Sequence, residues 1–416
     1  MIKNNLIKSL SIFIIFGIFL YAFSASYSSH NITNLAYVAA IGFDVVDSSN
    51  DANSTDKSKI KISFQFVNPS ALGQQNSASD SPSSIVNSVE STSINSAINL
   101  MNVYIGKELN LAHCKVIVFS EKFAESDISE EIYTLINNTQ IRPTTNIVIS
   151  KCDASYYIES SKPSLEQLVT KYYDIFPNSS KYTGYTSNIT LGDFFNCLSC
   201  DSCNPTAILG GYNNNDFNQP SSNNINDSIS NNSSIVGNRG AENIGLAVFD
   251  GGKLVGELTG IETLWHSLLQ NDINNFVISI PDPKNSNKYI DLSLAQTKKT
   301  KVNVNVSSGT PYIDINISLL GKILTINDNS DYENESYLRE LSSYANSYIQ
   351  SNISDYLYKT SKDLKCDINE FGKFASKYFL TTNDWKNYDW LNNYENAFFT
   401  VNVDANIESG LLVSGT

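Results

Sequence analysis

Histidine is scarce in this 416-residue chain, which has only three, and no two of them are spaced as metal ligands or catalytic partners are. The sequence has no HExxH pair, no GxSxG turn, no glycine loop for phosphate and no dinucleotide fingerprint. His30, His113 and His266 have no visible partner that would tune their chemistry, so we interpret each as structural or surface-exposed. The carboxylates are plentiful, but nothing in the sequence pairs two of them as the acid and nucleophile of a glycosidase. The sequence therefore predicts neither an enzyme nor a cofactor.

Charge is also sparse, at 17% of residues against an average of about 25%. The 42 acidic and 28 basic side chains give a net charge of −14. A phosphate backbone would be repelled by such a chain unless it carried a local basic patch, and we find none. The sequence thus predicts no nucleic-acid partner and no DNA binding. Hydrophobic residues make up 41% of the chain, enough for the roughly two to three cored domains that its length predicts.

The first segment predicts export. Lys3 and Lys8 precede an apolar run over residues 10–23, and small polar residues follow at 24–26. This order is that of an export signal. The run is short for a membrane span, which takes about 20 residues, so cleavage and retention as an anchor both stay open. We expect the remainder of the chain to lie outside the cytoplasm.

Three of the six cysteines are clustered, in the sequence Cys197-Leu-Ser-Cys200-Asp-Ser-Cys203. This spacing lets thiolates converge on one metal ion or cluster, but such a site needs a fourth ligand and none is visible nearby. Cys114, Cys152 and Cys366 are distant in the sequence. We therefore assign no metal site and keep Cys197, Cys200 and Cys203 as weak candidates. A local disulfide or free thiols are the preferred interpretations.

Before residue 213 the pattern alternates between strands and helices. Four apolar segments predict strands, at 35–46, 60–67, 115–119 and 145–150, and the first two form a hairpin. Three segments predict helices: 83–101 by its apolar face, 127–137 by a capping box at Asp127 and Glu130, and 164–173 by a capping box at Ser164 and Gln167.

Residues 213–238 are mostly Asn, Ser and Asp, and they predict a linker or long exposed loop. A tight hairpin follows at 245–258, then a capping box at Thr259 and Glu262 that begins a helix ending near Gln270. Strands are predicted at 275–280, 301–306, 313–326 and 401–407, and a long helix at 338–357. A long helix among grouped strands is typical of an α+β layer, here with mixed or antiparallel sheets flanked by helices.

Several segments, in colinear order, resemble the Ger(x)C family, the C subunits of nutrient germinant receptors of endospore-forming bacteria. The segment Ala112-His-Cys-Lys-Val-Ile-Val-Phe-Ser-Glu121 is similar to a family segment of the type SHLKVIVFGE. The other similar segments are 35–44, 62–69, 141–143, 245–249, 253–256, 262–263, 364–368, 371–372, Trp385, Trp390 and 399–407.

This resemblance implies an elongated, non-enzymatic protein of three α+β domains. It would be membrane-associated on the outer face of the spore inner membrane and would work with the A and B membrane subunits of the receptor. The predicted division of the chain is a signal or anchor segment at 1–29, an N-terminal α+β region at 30–206, a linker or exposed loop at 207–243, a middle α+β domain at 244–298 and a C-terminal α+β domain with the long helix at 299–416.

One departure from the family concerns the anchor. Members typically carry a lipid on a cysteine at the end of the signal, whereas here no cysteine precedes Cys114, so no lipidation site is predicted. We favour retention of the apolar run, since one acyl chain anchors only marginally and a helix would replace it. Two alternative functions stay open: an exported thiol or metal protein that uses Cys197, Cys200 and Cys203, and a binding protein for small nutrients with an enclosed apolar pocket.

Overall fold

Two β-sheets organise the computed structural model, which describes residues 14–19, 34–46, 59–68, 83–162, 165–166, 168–213, 228–236, 240–307, 309–324 and 334–409. The first sheet has nine strands in the order β3-β2-β1-β5-β6-β7-β8-β9, with β4 paired to β1. The bounds of these strands are β1 Leu35–Val45, β2 Ile60–Val67, β3 Ser84–Ser91, β4 Glu108–Asn110, β5 Val116–Ser120, β6 Asn146–Ser150, β7 Thr206–Tyr212, β8 Ala241–Asp250 and β9 Lys253–Leu258.

The centre of the first sheet is parallel and its two sides are antiparallel. β1, β5, β6 and β7 run parallel to one another, whereas β2, β3, β8 and β9 add antiparallel pairs. Every residue of β5 and β6 is buried. Strands covered on both faces read as short apolar runs without alternation, which is how both appear in the sequence.

Helices cover both faces of this sheet. The bounds are α1 Ile94–Ile105, α2 Glu121–Ala124, α3 Ser129–Ile136, α4 Ala154–Ser160, α5 Val169–Ile175, α6 Ser180–Thr183 and α7 Leu191–Leu198, with a 3₁₀ turn at Phe176–Ser179. α1, α3 and α7 pack on the face that carries Phe43 and Phe119. α4 and α5 pack on the opposite face, against Val118 and Val148.

The second sheet has the order β10-β11-β12-β13, with bounds β10 Asn275–Asp282, β11 Asn285–Ser307, β12 Thr310–Ile323 and β13 Phe398–Glu408. Its helices are α8 Gly260–Gln270, α9 Glu335–Tyr358, α10 Gly372–Ala375, α11 Thr382–Tyr388 and α12 Trp390–Tyr394, with a π turn at Lys359–Asp363 and a 3₁₀ turn at Ser376–Tyr378. α9 places Leu341, Ala345, Ile349 and Ile353 in the core at four-residue steps. The predicted long helix over a sheet is confirmed, and so is the α+β class with mixed sheets flanked by helices.

A third hydrophobic core joins part of the first sheet to the second sheet. Leu246 and Leu258 of the first sheet pack with Trp265 of α8 and with Ile278 and Leu292 of the second sheet. The capping box at the start of α8 is confirmed, because Thr259 Oγ1 accepts from the backbone of Glu262 and the Glu262 carboxylate accepts from the backbone of Thr259. Within the predicted middle domain, 244–298, β8 and β9 therefore belong to the first sheet, whereas the later strands belong to the second sheet. The domain boundaries stay a prediction.

The helix predicted at 83–101 is confirmed only in its second half. Residues 84–91 form β3, which pairs with β2, and the helix begins only at Ile94. Ser93 caps it by accepting from the backbone of Ser96 at 3.2 Å. β3 is an outer strand in which buried and exposed residues do not alternate regularly, so the spacing of its apolar residues also fits a helix. Pairing with β2 thus prevails over a local pattern that fits either structure.

Two capping boxes were predicted in the N-terminal region. The one at Asp127 is wrong, and the one at Ser164 lies outside the described residues. Asp127 accepts from Ser129 N and Ser129 Oγ, and the residue that precedes α3 is Ile128, which makes no side-chain cap. The backbone here is held by the β8–β9 turn, since Ile128 N donates to Gly252 O at 3.0 Å. Ser164 and Gln167 lie outside the described residues, and α5 begins at Val169 without a side-chain cap.

Two other predicted segments fall largely outside the described residues. Of the Asn-rich stretch, residues 228–236 are described, and there Ser230 and Ser233 are buried and bond to Glu242. Of the predicted anchor, only residues 14–19 are described, and they are helical. Within the described ranges, no helix combines the length and the apolar character that crossing a membrane requires.

Candidate functional site

A polar cleft of about 410 Å³ lies where two loops from different parts of the chain meet. The first loop, residues 199–205, connects α7 to β7 and contains two of the clustered cysteines. The second loop, residues 364–371, follows the π turn after α9. A reciprocal pair of hydrogen bonds joins them, since Asn204 N donates to Asp367 O at 3.0 Å and Asp367 N donates to Asn204 Oδ1 at 2.9 Å. The junction of the two loops is thus held by one backbone bond and by the Asn204 side chain.

Asp367 organises the second loop from within the core. Its carboxylate accepts from Phe371 N at 3.0 Å, from Gly372 N at 2.8 Å and from Trp390 Nε1 at 2.8 Å. Burial raises the pKa of this carboxyl from 3.8 to about 6, although the three hydrogen bonds oppose the rise. The loop therefore turns around a carboxyl group that has almost no contact with water.

Glu370 lies on this turn in the left-handed region, with a φ of 58°. Few residues other than glycine adopt this conformation, which costs an L-residue roughly 1 to 2 kcal/mol. The Asp367 hydrogen bonds to the two following N–H groups hold the backbone there. As a result the Glu370 carboxylate faces the end of α7 and the first loop, and Cys197 Sγ of α7 donates to Glu370 Oε1 at 3.8 Å. Lys373 pairs with the other carboxylate oxygen.

The thiols of the cluster converge on this carboxylate. One ligand atom from each of Cys197, Cys203 and Glu370 lies within 4.8 Å of the others. Cys203 is buried, and its pKa is raised well above the usual range by its hydrogen bond with Cys197, by burial and by the charge of Glu370. Cys200 opposes part of this rise in the pKa of Cys203, and its Sγ lies 2.9 Å from Ser202 Oγ. All six cysteines of the chain are free thiols in the structure.

The charged residues that line the cleft are mainly acidic. Asp193 and Asp272 line it beside Glu370, and Lys373 is the cation among its lining residues. Burial raises the pKa of Asp272, and the charges of Asp193 and Glu370 add to the rise. This lining differs from the enclosed apolar pocket that the nutrient-binding alternative predicts. The cleft is suited to a cation.

His266 lies at the back of the cleft, in α8. Its Nδ1 is 3.2 Å from Asn369 Oδ1 and 3.3 Å from the Tyr356 hydroxyl. Burial lowers the pKa of the ring from 6.5 to about 4, so the ring is neutral at pH 7. His113 lies elsewhere, edge-on to Tyr37 at 5.3 Å between ring centroids, and His30 is outside the described residues.

The structure thus brings together the three clustered cysteines and leaves the other three apart. Cys114 is buried near Val116, Cys152 lies beside Ser150 and Cys366 donates to Leu364 O. Sequence reasoning missed Glu370, which is 173 residues from Cys197. Its only signal was position, because it lies between the family-like segments 364–368 and 371–372.

Comparisons with known proteins agree on one family. A model described as spore germination protein N-terminal domain matches residues 28–209, and one described as spore germination B3/GerAC like, C-terminal, matches residues 244–410. A search of curated proteins finds no match. A solved structure described as the crystal structure of the GerBC protein is similar over 89% of this chain and 98% of that chain, with a TM-score of 0.52 and 15% identity. At that identity the likeness shows the fold, and the two family models, matched in order, show that the chain belongs to the Ger(x)C family of spore germination proteins.

Proposed function

We propose that this protein is the C subunit of a nutrient germinant receptor, which acts in spore germination together with the A and B membrane subunits. The observation that carries the proposal is the ordered match of both family models, which together reach from residue 28 to residue 410. The fold shared with the GerBC protein supports it. We place the protein at the outer face of the spore inner membrane, where the basic start and apolar run of residues 3–23 support an exported and anchored chain.

The proposed role is contact with other proteins rather than catalysis. The titratable groups of the cleft support this, because burial holds His266 neutral, while the hydrogen bond with Cys197, together with burial, keeps the Cys203 thiol protonated at neutral pH. A nucleophilic cysteine requires a lowered pKa, and a general base requires one near the working pH. The pKa of Cys203 is instead raised, and that of His266 is lowered to about 4, so neither group meets its requirement.

An exposed apolar face on α1 supports a contact role. The helix buries Ile94, Ala97 and Met101 against the first sheet. On its other side Val103 is 84% exposed and Tyr104 is 76% exposed. Exposed apolar side chains grouped on one helix are typical of surfaces that contact a partner.

Deletion of the gene tests the proposal. We expect spores without this protein to lose germination triggered by nutrients, while agents that bypass the receptors still germinate them, because the later steps of germination remain intact. The measurement is the fall in optical density of a spore suspension, with complementation by the intact gene as the control. Normal nutrient germination in the deletion strain would contradict the proposal, and so would an equal loss of germination by bypass agents.

A second experiment tests the partnership. Affinity purification of the tagged protein from detergent-solubilised spore membranes is expected to retain the A and B subunits. Recovery of the protein without either subunit, under conditions where A and B remain bound to each other, would count against the assembly.

A further inference from the structure

We propose that Cys197, Cys203 and Glu370 bind a zinc ion, that Cys200 is the fourth ligand, and that the ion fastens the 199–205 loop to the 364–371 loop. This inference is independent of the receptor role. It concerns a site built from residues of both halves of the chain, three on the first loop and its preceding helix and one on the second.

The spacing of the donor atoms fits a tetrahedral ion. Zinc–sulfur bonds of about 2.3 Å and zinc–oxygen bonds of about 2.0 to 2.2 Å place two ligand atoms of a tetrahedral site about 3.5 to 3.8 Å apart. Here Cys197 Sγ is 3.8 Å from Glu370 Oε1, and the three donor atoms of Cys197, Cys203 and Glu370 all lie within 4.8 Å of one another. A contraction of about 1 Å would therefore bring all three to bonding distance around one ion.

Cys200 is placed to complete the set. Its thiol interacts with the neighbouring Cys203, whose pKa it lowers, and turns toward Ser202, at 2.9 Å between Sγ and Oγ. Cys200 is only partly buried, and the proposal requires its side chain to rotate toward Glu370. The sequence alone offered three cysteines and no further ligand, and the fold adds Glu370 to them.

The chemistry of the donors selects the metal. Three sulfurs and one oxygen favour zinc over the hard cations magnesium and calcium, which prefer all-oxygen sites. Binding would release the three thiol protons to solvent, so the ion would be held by three thiolates and one carboxylate. Zinc leaves two of these four negative charges unbalanced, and Lys373, paired with the free oxygen of Glu370, offsets one of them.

The surrounding structure already holds the ligands in place. Asp367 fixes the backbone on which Glu370 sits, and the Asn204–Asp367 pair fixes the distance between the two loops. Without a cation, Glu370 is a carboxylate beside two buried or half-buried thiols and near Asp193 and Asp272. A divalent cation would offset the repulsion between these acidic groups and would attract each of them.

Metal analysis of the full-length protein tests the proposal. The protein is reduced, exposed to excess zinc chloride, freed of unbound metal and analysed for zinc per chain. We expect one zinc per chain, and we expect cobalt substitution to give the sulfur-to-cobalt charge-transfer absorption of thiolate ligation. Cys203→Ser and Cys200→Ser are expected to lose stoichiometric zinc, whereas the matched control Cys152→Ser, a thiol outside the cluster, keeps it.

Two further variants separate ligation from folding. Lys373→Met removes only the cation that pairs with Glu370, and loss of such a supporting contact is expected to lower zinc affinity by about 10-fold to 100-fold. Glu370→Gln is expected to lower the affinity while the cobalt–thiolate absorption persists, because the three sulfurs remain. Absence of zinc from the reduced wild-type protein would overturn the proposal. Equal zinc binding by wild type, Cys200→Ser and Cys203→Ser would also overturn it. A Cys197–Cys203 disulfide, with no zinc uptake after reduction, would assign the cluster to a covalent cross-link instead.

Discussion

Two buried titratable groups at the loop junction oppose each other as the pH changes. The pKa of Asp367 is raised from 3.8 to about 6, and that of His266 is lowered from 6.5 to about 4, in both cases chiefly by burial. Between pH 4 and 6 the folded protein thus binds more protons at Asp367 than the unfolded chain does, and fewer at His266. By linkage, rising pH destabilises the fold through Asp367 and stabilises it through His266.

The expected magnitudes are nearly equal. Each of these two pKa changes corresponds to about 3 kcal/mol in the free energy of unfolding. In the wild type the two contributions should cancel between pH 4 and 6. Asp367→Asn, an isostere of the protonated acid, should leave only the histidine contribution, so its stability relative to wild type should rise by about 1.4 kcal/mol per pH unit over this range. His266→Gln should show the opposite slope.

Urea unfolding followed by tryptophan fluorescence measures this difference. Two of the three tryptophans lie at the junction, since Trp390 donates to Asp367 and Trp265 adjoins His266 in α8. Taking each variant relative to wild type at the same pH cancels the contributions of the other carboxylates, and a chelator removes any proton release by bound metal. Flat difference curves for both variants, or slopes of the same sign, would refute the assignment of these two groups as buried and oppositely shifted.

Two further predictions concern the shared core. Thr259→Ala should lower the free energy of unfolding by about 1 kcal/mol in urea titration, because it removes the side chain that caps α8; an effect below the error of the measurement would argue against the cap. Ile349→Ala should cost about 2 to 5 kcal/mol, since Ile349 is fully buried where α9 faces the second sheet, whereas the exposed neighbour Gln350→Ala should change stability by less than about 0.5 kcal/mol. Equal effects of these two variants would contradict the packing of α9.

The helices and strands that could be predicted are those with one solvent-exposed face and one buried face. β12 and β13 alternate buried and exposed residues, and α9 carries a single apolar stripe, so each pattern has one interpretation. β11 shows the limit. It runs over Asn285–Ser307, but only 301–306 was predicted as strand. Its pairing with β12 shifts register between Gln296 and Lys301, and such irregularities interrupt the alternation on which prediction depends.

The candidate site was predictable only in its local half. Cys197, Cys200 and Cys203 are three residues apart, so their sequence spacing already places them within reach of one another. Glu370 reaches them through tertiary structure, and no pattern in its neighbourhood marks it as a partner of a cysteine. A single sequence carries information about a residue's neighbours along the chain, and Glu370 has its decisive neighbours elsewhere.

The backbone at Glu370 explains why a local rule is broken there. A left-handed turn would be satisfied best by glycine, yet the chain has a glutamate, whose conformation must be held by other contacts. Those contacts are the hydrogen bonds that Phe371 N and Gly372 N donate to the Asp367 carboxylate. Burial raises the pKa of that carboxyl, so the unfavourable backbone at Glu370 is supported by an unfavourably buried acid. Both features lie within four residues and direct one carboxylate at a cluster of thiols. Because strained backbone and buried charge persist where the surrounding structure over-determines them, their coincidence at Glu370 favours a ligand role over a role in packing alone.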